Sequence, residues 1–416
     1  MRYFLPDWDD HVDPLFDFLG DCHPYPGGKS AWEHEHYPHQ MLGRHPCDGL
    51  LVSKVVAEKT ARKKARVNKL GIHGALRLAR DFPVLGDSGA FGYLKEEVPP
   101  YTTEEMLDYY TRLGFDYGVS LDHIIVPSVK EQARKRYQLT LANARDFLTL
   151  WKKERPPWTP IGAIQGWDRD SHVRAAGELA RMGYDYIAVG GIARMPTPQV
   201  LDLARAVQDE VGRGVRVHLF GLARLAGVRA MQAIGIHSVD SASWLRQAWL
   251  GAERNYLLPD GSSYAALRIP AAGRARQRRR TGGCPEQAVT LERRALESVR
   301  RFAASATGDV AGTVQAVLDY ERLWNNGDVR PGLEALYTRT LEERPWQRCQ
   351  CRVCVGAGVE VVIFRGSDRN RRRGFHNLGV FHDLFSRILN GEDVGIPSVD
   401  IEPCAAGSVQ GMLFAS

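Results

Sequence analysis

The feature that most constrains this sequence is a repeating pattern, in which a short apolar run ends in polar or glycine-rich residues and a segment with helical spacing follows. This pattern is typical of alternating strands and helices with parallel strands. Helices are predicted between the strands at residues 103–113, 130–153, 169–182, 198–211 and 224–234. Strands are predicted at residues 49–56, 84–87, 117–122, 160–165, 186–190, 216–220 and 237–240, with an eighth at 264–269. Seven such units and the eighth strand favour an α/β fold, a (β/α)8 TIM barrel, over the alternative of an open doubly wound sheet.

The pattern changes after Ile269, where an arginine-rich stretch and two helical segments, at 286–304 and 313–325, precede a group of cysteines. The sequence therefore predicts three parts. Residues 1–268 form the catalytic barrel, residues 269–344 a basic helical insertion, and residues 345–416 a zinc-binding subdomain that closes on the barrel.

Composition indicates a globular protein, since hydrophobic residues make up 44% and charged residues 25% of the chain. No stretch approaches the roughly 20 apolar residues of a membrane span, and the first residues lack the apolar core of a signal peptide. We therefore expect a cytoplasmic protein that has no membrane partner.

Three of the seven cysteines lie in Cys349-Gln-Cys351-Arg-Val-Cys354, a spacing that indicates a metal site in a reducing compartment. Three thiolates and one imidazole form a closed tetrahedral site, which predicts one structural Zn²⁺ per chain. The remaining cysteines are predicted to be free thiols: Cys22, Cys47, Cys284 and Cys404. Three histidines lie close to one another in the sequence, namely His34, His36 and His39. No cysteine or spaced acid accompanies them, so they are predicted to be ordinary loop residues.

Basic residues cluster in three runs, at 59–69, 274–280 and 365–373, although the net charge of the chain is only +6. A single run is equally well explained by a solvated face, but three runs in one chain indicate a nucleic-acid partner. The residues expected to contact backbone phosphates are Arg278, Arg279, Arg280, Arg371, Arg372 and Arg373.

Polar or glycine residues stand at the ends of successive predicted strands, namely Asp87, Asp122, Gln165, Gly190 with Gly191, and Asp240. Any one of these aspartates is more often a helix cap or a turn residue. In a barrel, however, the carboxyl ends of all strands meet at one face, so together these residues predict a polar pocket there.

Five motifs along the chain, in this order, resemble those of the tRNA-guanine transglycosylase superfamily. They are Asp87-Ser-Gly-Ala-Phe-Gly, Gly162-Ala-Ile-Gln165-Gly, Gly190-Gly191-Ile-Ala, Ser238-Val-Asp240-Ser-Ala-Ser-Trp, and Cys349-x-Cys351-x2-Cys354 with a later His376-Asn-Leu. The resemblance covers about 290 residues, from Asp87 to His376. It implies that His376 is the fourth zinc ligand, with His382 as the alternative.

The resemblance also implies a reaction and the residues that carry it. Asp240 attacks C1′ of a nucleotide and forms a covalent intermediate, while Asp87 acts as general acid and base. Asp122 accepts hydrogen bonds from guanine, Gln165 and the Gly191 amide meet its O6, and the Gly190–Gly191 pair allows close backbone approach. Phe91 or, as the alternative, Tyr93 stacks on the base, although a core role explains either residue equally well. The target base has to be flipped out of its helix.

Two features bear on the choice between RNA and DNA. Arg194-Met195-Pro196 replaces the Val-Gly-Glu of bacterial tRNA enzymes, whose glutamate accommodates an aminomethyl group, so a neutral nitrile is expected on the incoming base. About 40 residues follow His376, too few for an appended RNA-binding domain. The segments at residues 6–14 and 364–377 resemble the DpdA branch, which inserts 7-deazaguanines into DNA.

The sequence therefore predicts exchange of guanine in DNA for free 7-cyano-7-deazaguanine. The alternatives are exchange in tRNA and a non-catalytic zinc-containing nucleic-acid-binding protein; retention of Asp87, Asp122, Gln165 and Asp240 argues against the latter. The sequence is compatible with a homodimer, and also with partner proteins that open the duplex.

Overall fold

The fold is that of a computed structural model of the chain, which describes residues 1–24, 31–251, 253–272, 285–325, 327–397 and 399. The chain forms two compact units. The first, here called the barrel unit, contains Met1–Asp9, Cys47–Ala242 and the described residues that follow Leu384; the second, the metal unit, contains Asp10–Pro46 and Ser243–Leu384. This division differs from the predicted three parts, because the described residues of the insertion and the cysteines belong to one unit. No described helix has the length and apolar character needed to cross a membrane.

Eight parallel strands close into a barrel, which confirms the predicted fold class. The strands are β1 (Arg2–Pro6), β2 (Gly49–Ser53), β3 (Val84–Asp87), β4 (Tyr117–Val119), β5 (Thr159–Ile164), β6 (Tyr186–Val189), β7 (Arg216–Leu219) and β8 (Ser238–Asp240). Side chains alternate along each strand, and those that point inwards fill the barrel with a buried cluster. That cluster contains Phe4, Leu51, Leu85, Val119, Ile161, Ala163, Tyr186 and Ala188.

The predicted eighth strand at 264–269 is wrong, because the barrel is closed by β1 at the start of the chain. Phe4 pairs with Gly49 of β2 on one side and with Asp240 of β8 on the other. Residues 263–268 instead contribute two two-residue strands, Ser263–Tyr264 and Leu267–Arg268, to small sheets of the metal unit.

Helices follow the strands of the barrel unit, as the spacing predicted. One has a capping box in which Thr102 accepts from the Glu105 N–H and the Glu105 side chain accepts from the Thr102 N–H, which explains why it begins at Thr103. The α-helices are Lys54–Ala57, Ala61–Leu76, Thr103–Leu113, Ala133–Glu154, Arg169–Met182, Thr197–Val211 and Val228–Ile234, and the 3-10 turns are Ala90–Tyr93, Pro127–Gln132 and Leu225–Gly227.

The metal unit is mainly helical. Two small sheets pair Tyr256–Leu257 with Ser263–Tyr264 and Leu267–Arg268 with Ile363–Phe364. Its described α-helices are Ala31–His34, Pro38–Leu42, Ser243–Leu250, Pro285–Ala304, Val310–Trp324, Leu333–Glu343, Pro345–Arg348, Arg352–Ala357 and Gly366–Leu389, with a 3-10 turn at Gly358–Val362. The residues of the last helix beyond Leu384 are counted with the barrel unit.

Candidate active site and metal centre

Asp87 is the last residue of β3 and is followed by a tight turn. Its Oδ2 accepts a hydrogen bond from the Gly89 N–H at 3.0 Å, and Gly89 has a φ of 89°, a conformation that favours glycine. Burial, together with the charges of Asp122 and Asp240, raises the pKa of Asp87 to about 7. A carboxyl group with a pKa near neutrality can both donate and accept a proton during a reaction.

Asp122 follows β4 and is held in place by Gln165, which follows β5. The Gln165 side-chain amide donates from Nε2 to Asp122 Oδ2 at 2.7 Å, and its Oε1 accepts from the Ile125 N–H at 3.3 Å. The Tyr93 hydroxyl donates to the backbone oxygen of Asp122 at 3.0 Å. Burial raises the pKa of Asp122 to about 6. Two predicted base-binding residues are thus joined directly.

Gly190 and Gly191 form the turn after β6, and both positions require glycine. A Cβ atom at 190 would lie 2.1 Å from Nε2 of Gln165, so a side chain there would displace that amide. Gly191 has a φ of 79°, and a Cβ atom on it would lie 2.9 Å from the Ile125 oxygen. His172 Nε2 lies 3.1 Å from the Gly190 oxygen. The turn therefore brings bare backbone against the Gln165 side chain.

Asp240 is the last residue of β8 and is buried, with 5% of its surface exposed. Its Oδ1 accepts from the Gly221 N–H at 2.9 Å and lies 3.1 Å from Nε2 of His218. The carboxylate is therefore fixed through Oδ1, and Oδ2 accepts no hydrogen bond from the described residues.

Asp87, Asp122, Gln165, the two glycines and Asp240 all lie at or after the carboxyl ends of barrel strands, at one face of the barrel, and their catalytic and base-binding roles stay predictions. Sequence reasoning missed three contributors: His218 and the Gly221 N–H, which contact Asp240, and His172, whose ring lies against the Gly190 oxygen. Only His218 gave a usable signal, because a polar residue stands there inside an apolar strand with its side chain on the same side as Phe220. Phe91 lies in the turn after Asp87 and is 64% exposed, so its stacking role stays a prediction.

Three cysteines and one histidine of the metal unit form a cluster, Cys349, Cys351, Cys354 and His376, whose ligand atoms all lie within 4.8 Å of one another. His376 Nδ1 is 3.5 Å from the sulfurs of Cys349 and Cys351 and 3.2 Å from that of Cys354. These separations fit four ligands around one metal ion, since sulfur and nitrogen are about 3.6 Å apart in a tetrahedral zinc site. The grouping of His376, rather than His382, with the cysteines is as predicted.

Neighbouring groups hold the cluster in the orientation that a metal site needs. His376 Nε2 donates to the Leu257 oxygen at 2.6 Å, which leaves Nδ1 unprotonated and facing the sulfurs. The Tyr256 ring stacks on His376 with centroids 4.2 Å apart, and its hydroxyl lies 3.1 Å from the Cys354 sulfur. The residues present therefore fit a closed metal site.

The other predicted cysteines and histidines have simpler outcomes. Cys22 and Cys47 are free thiols, as predicted, while Cys284 and Cys404 lie outside the described residues. Among the described residues, no second group of potential ligands forms around His34, His36 and His39.

The predicted phosphate contacts of Arg372 and Arg373 are wrong, because both side chains are buried within the metal unit. Arg372 donates to the Asp13 oxygen and pairs with Asp368, and Arg373 is fully buried and donates to the Ala248 oxygen. Arg371 is partly exposed and pairs with Asp10 at 3.0 Å. A fully buried guanidinium cannot reach a phosphate at the surface.

The other two basic runs have different outcomes. Lys63, in the run at 59–69, is buried and lies 2.9 Å from Asp7, so part of that run is structural too. Arg278, Arg279 and Arg280 lie outside the described residues.

Comparison with known sequences identifies the family of the chain. Residues 50–262, half of the chain, match the family described as queuine tRNA-ribosyltransferase. The chain belongs to this family of transglycosylases.

Among individual relatives, a protein of Salmonella montevideo named DNA-guanine transglycosylase is 35% identical over 412 residues, which are 94% of this chain and 98% of that protein. Two archaeal proteins named tRNA-guanine(15) transglycosylase are more distant. The chain is 24% identical over 52% of its length to the protein of Thermococcus onnurineus and 28% identical over 44% to that of Nanoarchaeum equitans. It spans only 36% and 44% of these two proteins.

Proposed function

We propose that the protein exchanges guanine in DNA for a 7-deazaguanine, with 7-cyano-7-deazaguanine as the incoming base. The observation that carries the proposal is the group of three carboxyls at the barrel face, in a chain that matches a DNA-guanine transglycosylase over nearly its whole length. Breaking and remaking a glycosidic bond with a pair of carboxyls requires one to act as nucleophile and the other to transfer a proton.

Asp240 is the nucleophile in this proposal, and Asp87 is the general acid and base. An Asp240 oxygen forms a bond to C1′ as the bond from C1′ to guanine breaks, and the departing guanine takes a proton from Asp87. The incoming base then gives a proton to Asp87 and attacks C1′, which releases the Asp240 carboxylate. Two inversions retain the configuration at C1′. The pKa of Asp87, raised to about 7, suits both roles.

The base is recognised by the groups between these two aspartates. Asp122 accepts from the N1–H and amino group of guanine, because both are donors on the same edge of the base. Gln165 and the Gly191 N–H meet O6, and the lack of side chains at Gly190 and Gly191 allows that approach. Phe91, exposed beside Asp87, supplies a stacking surface.

The metal ion in the proposal is one structural Zn²⁺, held by Cys349, Cys351, Cys354 and His376. Three thiolates and one imidazole leave no open position for water, so the ion stabilises the metal unit. Backbone phosphates are contacted by Arg278, Arg279 and Arg280, with a share from the partly exposed Arg371. Base flipping precedes binding, because the target atom is not accessible inside a duplex.

Exchange in tRNA is the second candidate, and the names of the family and of its archaeal members favour it. The same pocket accepts guanine from either nucleic acid. DNA is preferred because the relative that is similar over 94% of this chain is named for DNA, whereas the archaeal relatives match only about half of it.

To test this proposal, the purified protein is incubated with radiolabelled 7-cyano-7-deazaguanine and either duplex DNA or tRNA. We expect label in DNA only, and unlabelled guanine should compete. Label in tRNA alone would show the second candidate to be correct. Radiolabelled 7-aminomethyl-7-deazaguanine in a parallel reaction tests the incoming base, and we expect the nitrile to be incorporated faster.

A further inference from the structure

A chain of buried polar groups runs from Asp240 back into the barrel. His218 Nε2 is 3.1 Å from Asp240 Oδ1, and His218 Nδ1 is 2.7 Å from the hydroxyl oxygen of Ser238. That oxygen is 2.6 Å from the hydroxyl of Tyr186. His218, Ser238 and Tyr186 are each no more than 1% exposed. Buried polar groups are costly unless they are paired, and each of these groups is paired with the next. They therefore form a continuous series of hydrogen bonds in the barrel interior.

Chemistry fixes the direction of each hydrogen bond in this chain. An ionised Asp240 has no proton to donate, so His218 Nε2 must carry one. A neutral imidazole then has Nδ1 as an acceptor, which receives the Ser238 hydroxyl proton, and Ser238 in turn accepts from Tyr186. Burial raises the pKa of Tyr186 to about 12, so the phenol keeps the proton that it donates.

We propose that His218 is a positioning residue for the nucleophile: as a neutral imidazole protonated on Nε2, it holds Asp240 through Oδ1 and so selects Oδ2 as the oxygen that bonds to C1′. This inference rests on the proposed function, in which Asp240 attacks the sugar. As Oδ2 bonds to C1′ and the bond to the base breaks, Oδ1 becomes the carbonyl oxygen of the ester and keeps the same donor. His218 itself neither gains nor loses a proton.

Ser238 and Tyr186 complete this arrangement, because the Ser238 hydroxyl can donate to Nδ1 once Nε2 carries the proton that Asp240 requires. The opposite tautomer, with the proton on Nδ1, would place a bare nitrogen lone pair against the Asp240 carboxylate. The Gly221 N–H, at 2.9 Å, supplies a second donor to the same oxygen and does not depend on the ring. Loss of His218 should therefore slow the reaction without eliminating it.

The first test needs no nucleic acid. Nitrogen-15 NMR of the full chain labelled in its histidines reports the protonation of each ring nitrogen, and His218→Gln identifies the His218 signals. We expect a neutral ring protonated on Nε2 in the wild type and in Ser238→Ala, because the Asp240 carboxylate is present in both. A ring protonated on Nδ1, or on both nitrogens, would overturn the inference, whatever reaction the protein catalyses.

The second test measures formation of the covalent complex in a single turnover. His218→Leu should lower the rate constant about 10- to 100-fold with the KM for nucleic acid unchanged, and His218→Gln, whose amide can still donate, should recover much of it. The matched control is His73→Leu, since His73 is also buried but lies near Phe82, before β3 begins. We expect the control to keep the wild-type rate constant.

The pH profile separates positioning from a general disturbance of the barrel. The titratable groups that interact with Asp240 are His218, Asp87 and Tyr3. Removing a donor from Asp240 should move the acidic limb of the profile to higher pH in His218→Leu and back in His218→Gln, while the basic limb stays. Equal loss in both variants, with neither limb moved, would refute the inference. Absence of any covalent complex in the wild type would instead refute the proposed function, and the NMR result would still decide how the ring is protonated.

Discussion

The carboxyl pocket of the barrel unit and the cysteine–histidine cluster of the metal unit each bring several acidic side chains close together. Of the two, the cluster is arranged to bind a metal cation that would offset their negative charge. In the pocket, no described lysine or arginine pairs with Asp87, Asp122 or Asp240, and the pKa of Asp87 is raised to about 7. In the cluster, three thiols face one imidazole at distances that fit a shared metal ion. The first arrangement costs stability and is typical of reactive sites, whereas the second would contribute stability through a bound metal ion.

The largest effect on activity is expected from a substitution of Asp240 in the carboxyl pocket. Asp240→Asn should give no complex that survives denaturing electrophoresis and no measurable exchange, because an amide is too weak a nucleophile to displace the base. Trapping with guanine-containing DNA measures both. The exposed Asp81 provides the control, since Asp81→Asn should behave as the wild type. A complex that persists in Asp240→Asn and is missing in Asp87→Asn would reverse the two roles.

Replacing a predicted metal ligand of the metal unit should instead cause a large loss of stability. Cys351→Ser and His376→Ala should each release the metal and lower the free energy of unfolding by more than about 4 kcal/mol, because the site does not exist in the unfolded chain. Metal analysis and denaturant unfolding measure these effects. Cys22→Ser, at an exposed cysteine of the same unit, should change neither. One metal ion per chain in both ligand variants would contradict the assignment.

Asp87→Asn should lower activity and raise stability together. Loss of proton transfer should reduce exchange 10²- to 10⁴-fold, by the usual contribution of an acid–base group. The pKa of Asp87 is raised in the fold, so the wild type loses stability as the pH rises towards about 7, and an amide does not ionise. The free energy of unfolding of the variant should therefore exceed that of the wild type, and this excess should be about 2 kcal/mol larger at pH 8 than at pH 5. An equal difference at the two pH values would contradict the raised pKa.

The wild type should show a matching dependence on pH. Formation of the covalent complex needs Asp87 protonated, so its rate constant should fall about tenfold per pH unit above about 7. Single-turnover trapping between pH 6 and pH 9 measures this. The Asp87→Asn profile should lack that basic limb, and a wild-type rate constant that does not change above pH 7 would remove Asp87 from the first step.

The smallest effect is expected outside both sites, at the basic runs. Replacing Arg278, Arg279 and Arg280 with alanine should weaken DNA binding and reduce the slope of log affinity against log salt by up to about 3, because fewer counterions are released. Fluorescence anisotropy at several salt concentrations measures the slope. Arg373→Ala should instead destabilise the fold, since Arg373 is fully buried. An unchanged slope in the triple variant would make that run a solvated loop.

Sequence reasoning reached seven strands and the pocket residues because these depend on local pattern, an apolar run that ends in a polar residue. It failed for β1, since Arg2–Pro6 is a short run whose role is set by pairing with β2 and β8. It also failed for Arg372 and Arg373. Arg372 donates to the Asp13 oxygen 359 residues away and Arg373 to the Ala248 oxygen 125 residues away, and local charge patterns carry no information about such contacts.

Those distant contacts have a consequence for how the protein is made. Arg369 and Arg372 hold Asp21 and the Asp13 oxygen across sequence separations of 348 and 359 residues. At the usual ribosomal speed, roughly 20 to 70 s pass between synthesis of one partner and the other. During that interval Asp13 and Asp21 lack the arginine contacts that they have in the folded protein, and only their local contacts, such as that of Asp13 with His23, can form.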